Sequence, residues 1–378
     1  METSRRAFVK AISALSVAAT GSPRFLSTGG AATRTAPHPR AARPETTRWP
    51  KQIGSPVLES IGPAIENSRD VFTHVDKIVE VAGWMAYEDL AMPVYPVPTG
   101  VKSTDPNDVV DLLLVANSID TAFTDFKTHV KFQVDYEGQH TSDSDAMFAC
   151  LNRAMNTGVP MLDGKFLANV TRPELEKIFA GNIEMPMLDE KLAVLHQVGS
   201  VLTEKYDGRF HNFIKSCPPL LYDNGQGLVE RMAKEFPRFN DVSPYDGHEI
   251  KFYKLAQLGL WFAFATYPKD GPVRLKDVEK MTTFPDYIVP VALRLLGINS
   301  YSPALEHAID TYQLIARDST QEVEIRAHSI YATALLREEI NKIRPADLQV
   351  IIPQVNERLW THYHTTFWPH HLTKTIMY

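Results

Sequence analysis

Two ionisable residues stand where sequence context could turn them to chemistry. Residues 281–297 read Met-Thr-Thr-Phe-Pro-Asp-Tyr-Ile-Val-Pro-Val-Ala-Leu-Arg-Leu-Leu-Gly. Thr282, Thr283, Pro285 and Asp286 are turn and N-cap types ahead of an apolar helical run. Pro290 fits its first turn and Gly297 the position just past its end. Asp286 is thus expected at a helix N-terminus, flanked by Phe284, Tyr287 and Ile288. The helix dipole favours a carboxylate there, while those neighbours can seal it from water. An aspartate that only caps a helix is the plainer reading. Lys254, in Phe252-Tyr253-Lys254, is the only charge between Lys251 and Lys269. An amine entering an apolar helix has a lowered pKa unless a carboxylate meets it; otherwise it snorkels. If Lys254 and Asp286 met, they would form a buried pair suited to a polar substrate.

Other chemistry finds less support. The chain has no glycine-rich phosphate loop, no His-Glu-x-x-His and no Cys-x-x-Cys. His362, His364, His370 and His371 have no Cys or carboxylate at ligand spacing beside them. Solvated or hydrogen-bonded histidines are the expectation, with no metal and no cofactor.

The elements that must carry these residues are mostly helices. Val109 to Val115 is a short apolar run, and residues 129–136 alternate, with Val130, Phe132, Val134 and Tyr136 on one face. With the turn at Glu137-Gly138 they predict a small antiparallel sheet near residues 109–136. Ser142 with Asp145 resembles a capping box before Met147, Phe148 and Leu151, with Gly158 as the stop. Leu188, Leu192, Leu195, Val198 and Leu202 mark one helix face, ended by Asp207-Gly208. Residues 250–265 are apolar nearly all round, as in a buried helix. Ser319 with Glu322 caps a further one. The expectation is one mainly α domain over residues 55–378.

The 378 residues are 44% hydrophobic and 22% charged, as in an ordinary globular protein. Two cysteines cannot form a disulfide framework and suggest a reducing compartment. The formal net charge is −6. The first fifty residues hold eight Arg or Lys against two Glu, a net of +6, so the remainder carries −12. An acidic body argues against a stable nucleic-acid complex, and no apolar run has the length of a membrane span. The Arg-rich, Ser-containing leader resembles a mitochondrial transit peptide, and Ser4-Arg5-Arg6 resembles a twin-arginine export signal. A tail without an address, and so a cytoplasmic protein, is the alternative. Residues 1–54 read as presequence and linker.

Several segments together resemble the queuosine salvage family, the queuosine 5′-phosphate N-glycosylase/hydrolases. They are Ile65-Glu66-Asn67-Ser68-Arg69-Asp70-Val71-Phe72, Leu151-Asn152-Arg153-Ala154, Phe236-Pro237 to Asp241, and Phe252-Tyr253-Lys254 with Ala256-Gln257. Phe284 with Asp286-Tyr287, Pro290, and Gln321-Glu322-Val323-Glu324-Ile325-Arg326 continue the match to Pro369, His371 and Tyr378. The resemblance implies a fold similar to helix-hairpin-helix DNA glycosylases. It also implies hydrolysis of queuosine 5′-phosphate, a small nucleotide, to queuine and ribose 5-phosphate. Asp286 and Lys254 would be catalytic. Phe252, Tyr253, Tyr287, Phe284, Arg326 and His371 would bind substrate.

Glycosidic cleavage develops oxocarbenium character on the ribose, so a carboxylate is wanted to stabilise that charge and orient water. Queuine, a 7-deazapurine, lacks the N7 that purine nucleosidases protonate. The chain also departs from the family. Leu255, Ile288 and Leu372 stand where it carries arginines. Residues 117–124 replace Asp-Thr-Leu-Asn-Phe-Ser-Phe-Trp with Asn-Ser-Ile-Asp-Thr-Ala-Phe-Thr, and Ser144-Asp145 replaces a Tyr-Trp pair. Arginines hold phosphate and aromatics stack bases. A non-catalytic binding protein that keeps the fold is therefore the alternative, and a DNA glycosylase fits the acidic body poorly.

Overall fold

Apolar residues at helical spacing, bounded by capping residues, set most of the architecture. In the computed structural model, residues 48–98, 101–366 and 368–378 are described. All lie in the compact unit Arg43–Tyr378. Helices dominate, among them Pro106–Ser118, Asp143–Asn156, Leu188–Lys205, Lys254–Thr266, Ile288–Leu295 and Thr320–Ile343. No helix among the described residues is long and apolar enough to cross a membrane.

The sheet expected near residues 109–136 is corrected in its first half. Val109 to Val115 lies inside the helix Pro106–Ser118, not in a strand. Asp105 accepts the Asn107 N–H at 2.9 Å and Pro106 opens the first turn. Every residue from Val109 to Ser118 is buried. A run buried on all sides has no period to separate helix from strand, so the cap decides. The second half is a two-stranded hairpin, Gln133–Tyr136 with Gln139–Ser142. Glu137 and Gly138 turn it with φ of 50° and 77°, a conformation that suits a tight hairpin. A second hairpin, Val242–Tyr245 with His248–Lys251, leads into the Lys254 helix.

Two large hydrophobic cores fill the unit. One runs from Val109 to Phe284 and includes Leu255, Ala256 and Trp261. The other joins residues 57–90 to Phe252, Val289 and the helix Thr320–Ile343. The chain crosses between them at two places. Phe252 belongs to the second core and Leu255 to the first; Phe284 belongs to the first and Val289 to the second. Lys254 and Asp286 sit at these crossings.

The 24-residue helix Thr320–Ile343 is buried along most of its length. Glu324 is the best-partnered of its charged residues. The Glu324 carboxylate accepts the N–H groups of Arg69, Asp70 and Val71 at 2.9, 2.7 and 3.0 Å, and the hydroxyls of Ser68 and Tyr245 at 2.9 and 2.7 Å. This fixes the turn into the strand Val71–Thr73, which pairs antiparallel with Asn299–Tyr301.

The stretch just before Ser55 contacts the body. Arg48 pairs with Glu338 and Glu339, the Trp49 ring meets Tyr331 edge-on at 5.7 Å, and Pro50 is buried. Composition marked residues 48–54 as linker, but a single Trp and Arg anchor them. The Arg-rich leader falls within residues 1–47, outside the described residues.

Candidate functional site

The Lys254 helix begins abruptly. Tyr253 takes φ 47°, and Asp241 organises the turn. Its backbone carbonyl accepts the Phe252 and Tyr253 N–H groups at 2.9 and 3.2 Å. Its carboxylate accepts the Lys254 N–H at 3.2 Å. The same carboxylate receives the Arg326 fork at 3.0 and 2.5 Å. Arg326 is fully buried, with its guanidinium 3.9 Å from the Phe252 ring centre and 4.5 Å from that of Tyr378. Its Nε also donates to the Pro285 carbonyl at 3.4 Å. One buried arginine therefore ties the Lys254 turn to the segment that delivers Asp286.

That segment is held from both sides. Thr282 N–H donates to the Gln257 side chain at 2.9 Å, and the Thr283 hydroxyl and Phe284 N–H donate to Asn356 at 2.6 and 3.0 Å. Asp286 Oδ1 then accepts the Ile288 and Val289 N–H groups at 2.8 and 3.3 Å, capping Ile288–Leu295. Gly297 ends this helix with φ 70°. Among the described residues, the carboxylate's hydrogen bonds all run to Oδ1, so capping leaves Oδ2 uncommitted.

The tertiary structure adds Asp120, which follows the end of Pro106–Ser118. Burial pushes its carboxyl above the usual range, opposed by the Lys254 and Lys191 charges and reinforced by Asp286. Asp120 thus lies within electrostatic reach of both Lys254 and Asp286. Burial likewise raises the Tyr287 phenol, with Asp286 adding to the rise. Tyr287 meets His370, His371 and Tyr378 with ring centres 5.0, 5.5 and 5.2 Å apart. Burial lowers His364 and His370, and Asp286 opposes the shift at both. The arrangement gathers carboxylates, an amine and aromatic rings at the seam of two apolar cores. It can stabilise a developing positive charge and place a proton donor beside it.

The expected site residues divide into two groups. Lys254 and Asp286 act electrostatically on Asp120, and Tyr287 meets the His371 ring. Phe252, Phe284, Arg326 and His371 are buried, and the first and third are stacked on one another. Tyr253 packs half-buried against both cores. Asp120 was not among the expected residues; its only signal was an acid two residues past a buried helix. A separate cleft of about 490 Å³, lined by residues including Lys102, Asp108, Leu112, Pro160 and Arg209, contains none of these residues.

Comparison with known proteins agrees with the motifs. The family described as Queuosine salvage protein matches residues 101–378. A Sphaerobacter thermophilus protein named queuosine 5′-phosphate N-glycosylase/hydrolase is 30% identical over 326 residues, 85% of this chain and 97% of that protein. Relatives of the same name from Bos taurus and Schizosaccharomyces pombe are 27% and 28% identical over 315 and 269 residues. These cover 79% and 70% of this chain and 88% and 75% of the relatives. With the matched family spanning well over half its length, the chain belongs to the queuosine salvage proteins.

Proposed function

We propose that this protein hydrolyses the N-glycosidic bond of queuosine 5′-phosphate, freeing queuine and ribose 5-phosphate. The observation that carries this reading is the placing of Lys254 and Asp286 at the seam of the two cores, in a chain of this family. Asp286 would face the ribose, with Oδ2 opposing the positive charge that develops as the C1′–N bond breaks and orienting the attacking water. Lys254 would lie beside it on the substrate's polar groups. Tyr287 and its neighbouring rings supply a stacking wall. The helical fold is proposed to be similar to the helix-hairpin-helix DNA glycosylases, with a small nucleotide as substrate. Incubation with queuosine 5′-phosphate, followed by chromatography for free queuine, tests the assignment. No release from the phosphate or the free nucleoside would favour a binding protein instead.

The phosphate is the point of divergence. Leu255, Ile288 and Leu372 occupy positions where the family carries arginines. Arg326 is committed to Asp241, and Lys374 pairs with Glu190 at 3.4 Å. Each lost charge-assisted contact costs about 1.5–3 kcal/mol, roughly tenfold to more than a hundredfold in affinity. The kcat/KM ratio of queuosine 5′-phosphate over queuosine is expected to be smaller here than in the Sphaerobacter thermophilus relative. An equal or larger ratio would mean that other residues hold the phosphate.

A further inference from the structure

We propose that Tyr378 is a positioning residue for the reaction, holding Asp286 in place through both of its chain neighbours. This rests on the hydrolase reading above. Asp286 Oδ1 caps the helix Ile288–Leu295, so the aim of Oδ2 depends on how Pro285 and Tyr287 are held. On one side, Arg326 Nε donates to the Pro285 carbonyl at 3.4 Å. The Arg326 guanidinium in turn packs against the rings of Phe252 and Tyr378, 3.9 and 4.5 Å from their centres. On the other side, the Tyr287 hydroxyl donates to the Tyr378 main-chain oxygen at 3.3 Å, and the two ring centres lie 5.2 Å apart. Both tethers of Asp286 lead to the same residue.

Tyr378 is itself fixed. It is buried, and its phenol oxygen lies 3.2 Å from His371 Nε2. His371 is buried too, with its ring centre 5.5 Å from that of Tyr287. The segment 371–378 is tied to the body where the Ile315 N–H donates to the Leu372 carbonyl at 2.8 Å. A second tie is Arg238 Nη1 against the Met377 sulfur at 3.9 Å. Within the segment, the Met377 N–H donates to the Thr375 hydroxyl at 3.0 Å. A buried ring that only fills space needs no polar partner beyond one for its hydroxyl. Tyr378 meets Arg326 with its ring, His371 with its phenol and Tyr287 with its main chain.

The same guanidinium gives its fork to Asp241, whose carboxylate also accepts the Lys254 N–H. Without the Tyr378 ring, Arg326 loses one of its two aromatic walls. Play in Arg326 then reaches both Pro285 and the Lys254 turn. Catalytic groups must be held to a fraction of an ångström, and a misplacement of about 1 Å can cost about a hundredfold in rate. Tyr378 acts through Asp286 and Arg326, not on the substrate.

The test uses the full-length protein, with a melting temperature for every variant and turnover measured well below it. Tyr378→Leu keeps an apolar side chain and the main-chain oxygen but removes the ring and the phenol. Its kcat on queuosine 5′-phosphate is expected to fall about 10- to 100-fold, with KM within about threefold of wild type. Tyr378→Phe keeps the ring on Arg326, so its kcat should stay within a few-fold of wild type. In the Asp286→Asn background, Tyr378→Leu should cost little more, because the two residues act as a unit. A purely structural tyrosine would lower the melting temperature and leave kcat alone. If the leucine variant does not fold, Tyr378→Met is read in the same way. Failure of both to fold where Tyr378→Phe folds would make the ring structural and overturn the role. Unchanged kcat in a folded variant, an equal loss in Tyr378→Phe, or a full further loss on Asp286→Asn overturns the role and leaves the hydrolase reading standing. A wild type that frees queuine from neither queuosine 5′-phosphate nor queuosine overturns the hydrolase reading, and this role with it.

Discussion

The capping role of Asp286 and its proposed catalytic role fall on different oxygens, and substitution can separate them. Oδ1 caps a helix, while Oδ2 is left for chemistry. Asn caps helices about as well as Asp. Asp286→Asn should therefore melt within a few degrees of wild type, yet turn over queuosine 5′-phosphate at least about a hundredfold more slowly. Full turnover in that folded variant would leave only the capping role. Arg326 shows the opposite case. Its type suggested substrate binding, but its fork is spent on Asp241 between two rings. Its place in the family motif is accounted for by holding the Lys254 and Asp286 segments together.

At the scale of elements, two connections hold more than their sequences advertise. The motif from Asn67 to Val71 contributes three N–H groups and a hydroxyl to one buried carboxylate, Glu324. Replacing Glu324 with Ala orphans those donors, and a loss of about 3–5 kcal/mol in urea unfolding is expected. A loss below about 1 kcal/mol would show that water replaces the carboxylate without penalty. The second connection is the stretch from Arg48 to Gly54. A chain beginning at Ser55 should melt several degrees below one beginning at Arg48, because it lacks the Trp49–Tyr331 contact and the pairing of Arg48 with Glu338 and Glu339. Equal melting temperatures would mean that these contacts contribute nothing.

For the whole molecule, buried histidines set a pH dependence. Burial holds His328 and His371 at about 3, against an ordinary value of 6.5. Both are neutral in the folded state. Below pH 6.5 the unfolded chain binds protons that the folded chain does not, so stability falls as pH drops from 6.5 towards 3. The loss at pH 5 is about 2 kcal/mol per histidine. Melting temperature measured from pH 7.5 to 5 should fall, and His328→Gln should flatten the slope. An unchanged slope in that variant would show that His328 titrates normally in the fold.

Local chemistry was legible in the sequence wherever a cap or a period decided the outcome. Asp286 with Gly297 bounded one helix, Ser319 another, and the motifs identified the family. The run from Val109 to Val115 misled because an element buried on every side carries no periodicity, and Asp105 with Pro106 was the better guide. Asp120 was hidden for a different reason. Its surroundings come from Lys191, Arg238, Lys254 and Asp286, which stand far apart in the chain. Only tertiary packing brings them within electrostatic reach, since a side chain's neighbours across a core leave no mark on the residues beside it. Arg326 teaches the same lesson in reverse: sequence supplied its charge, but the fold chose Asp241 to receive it.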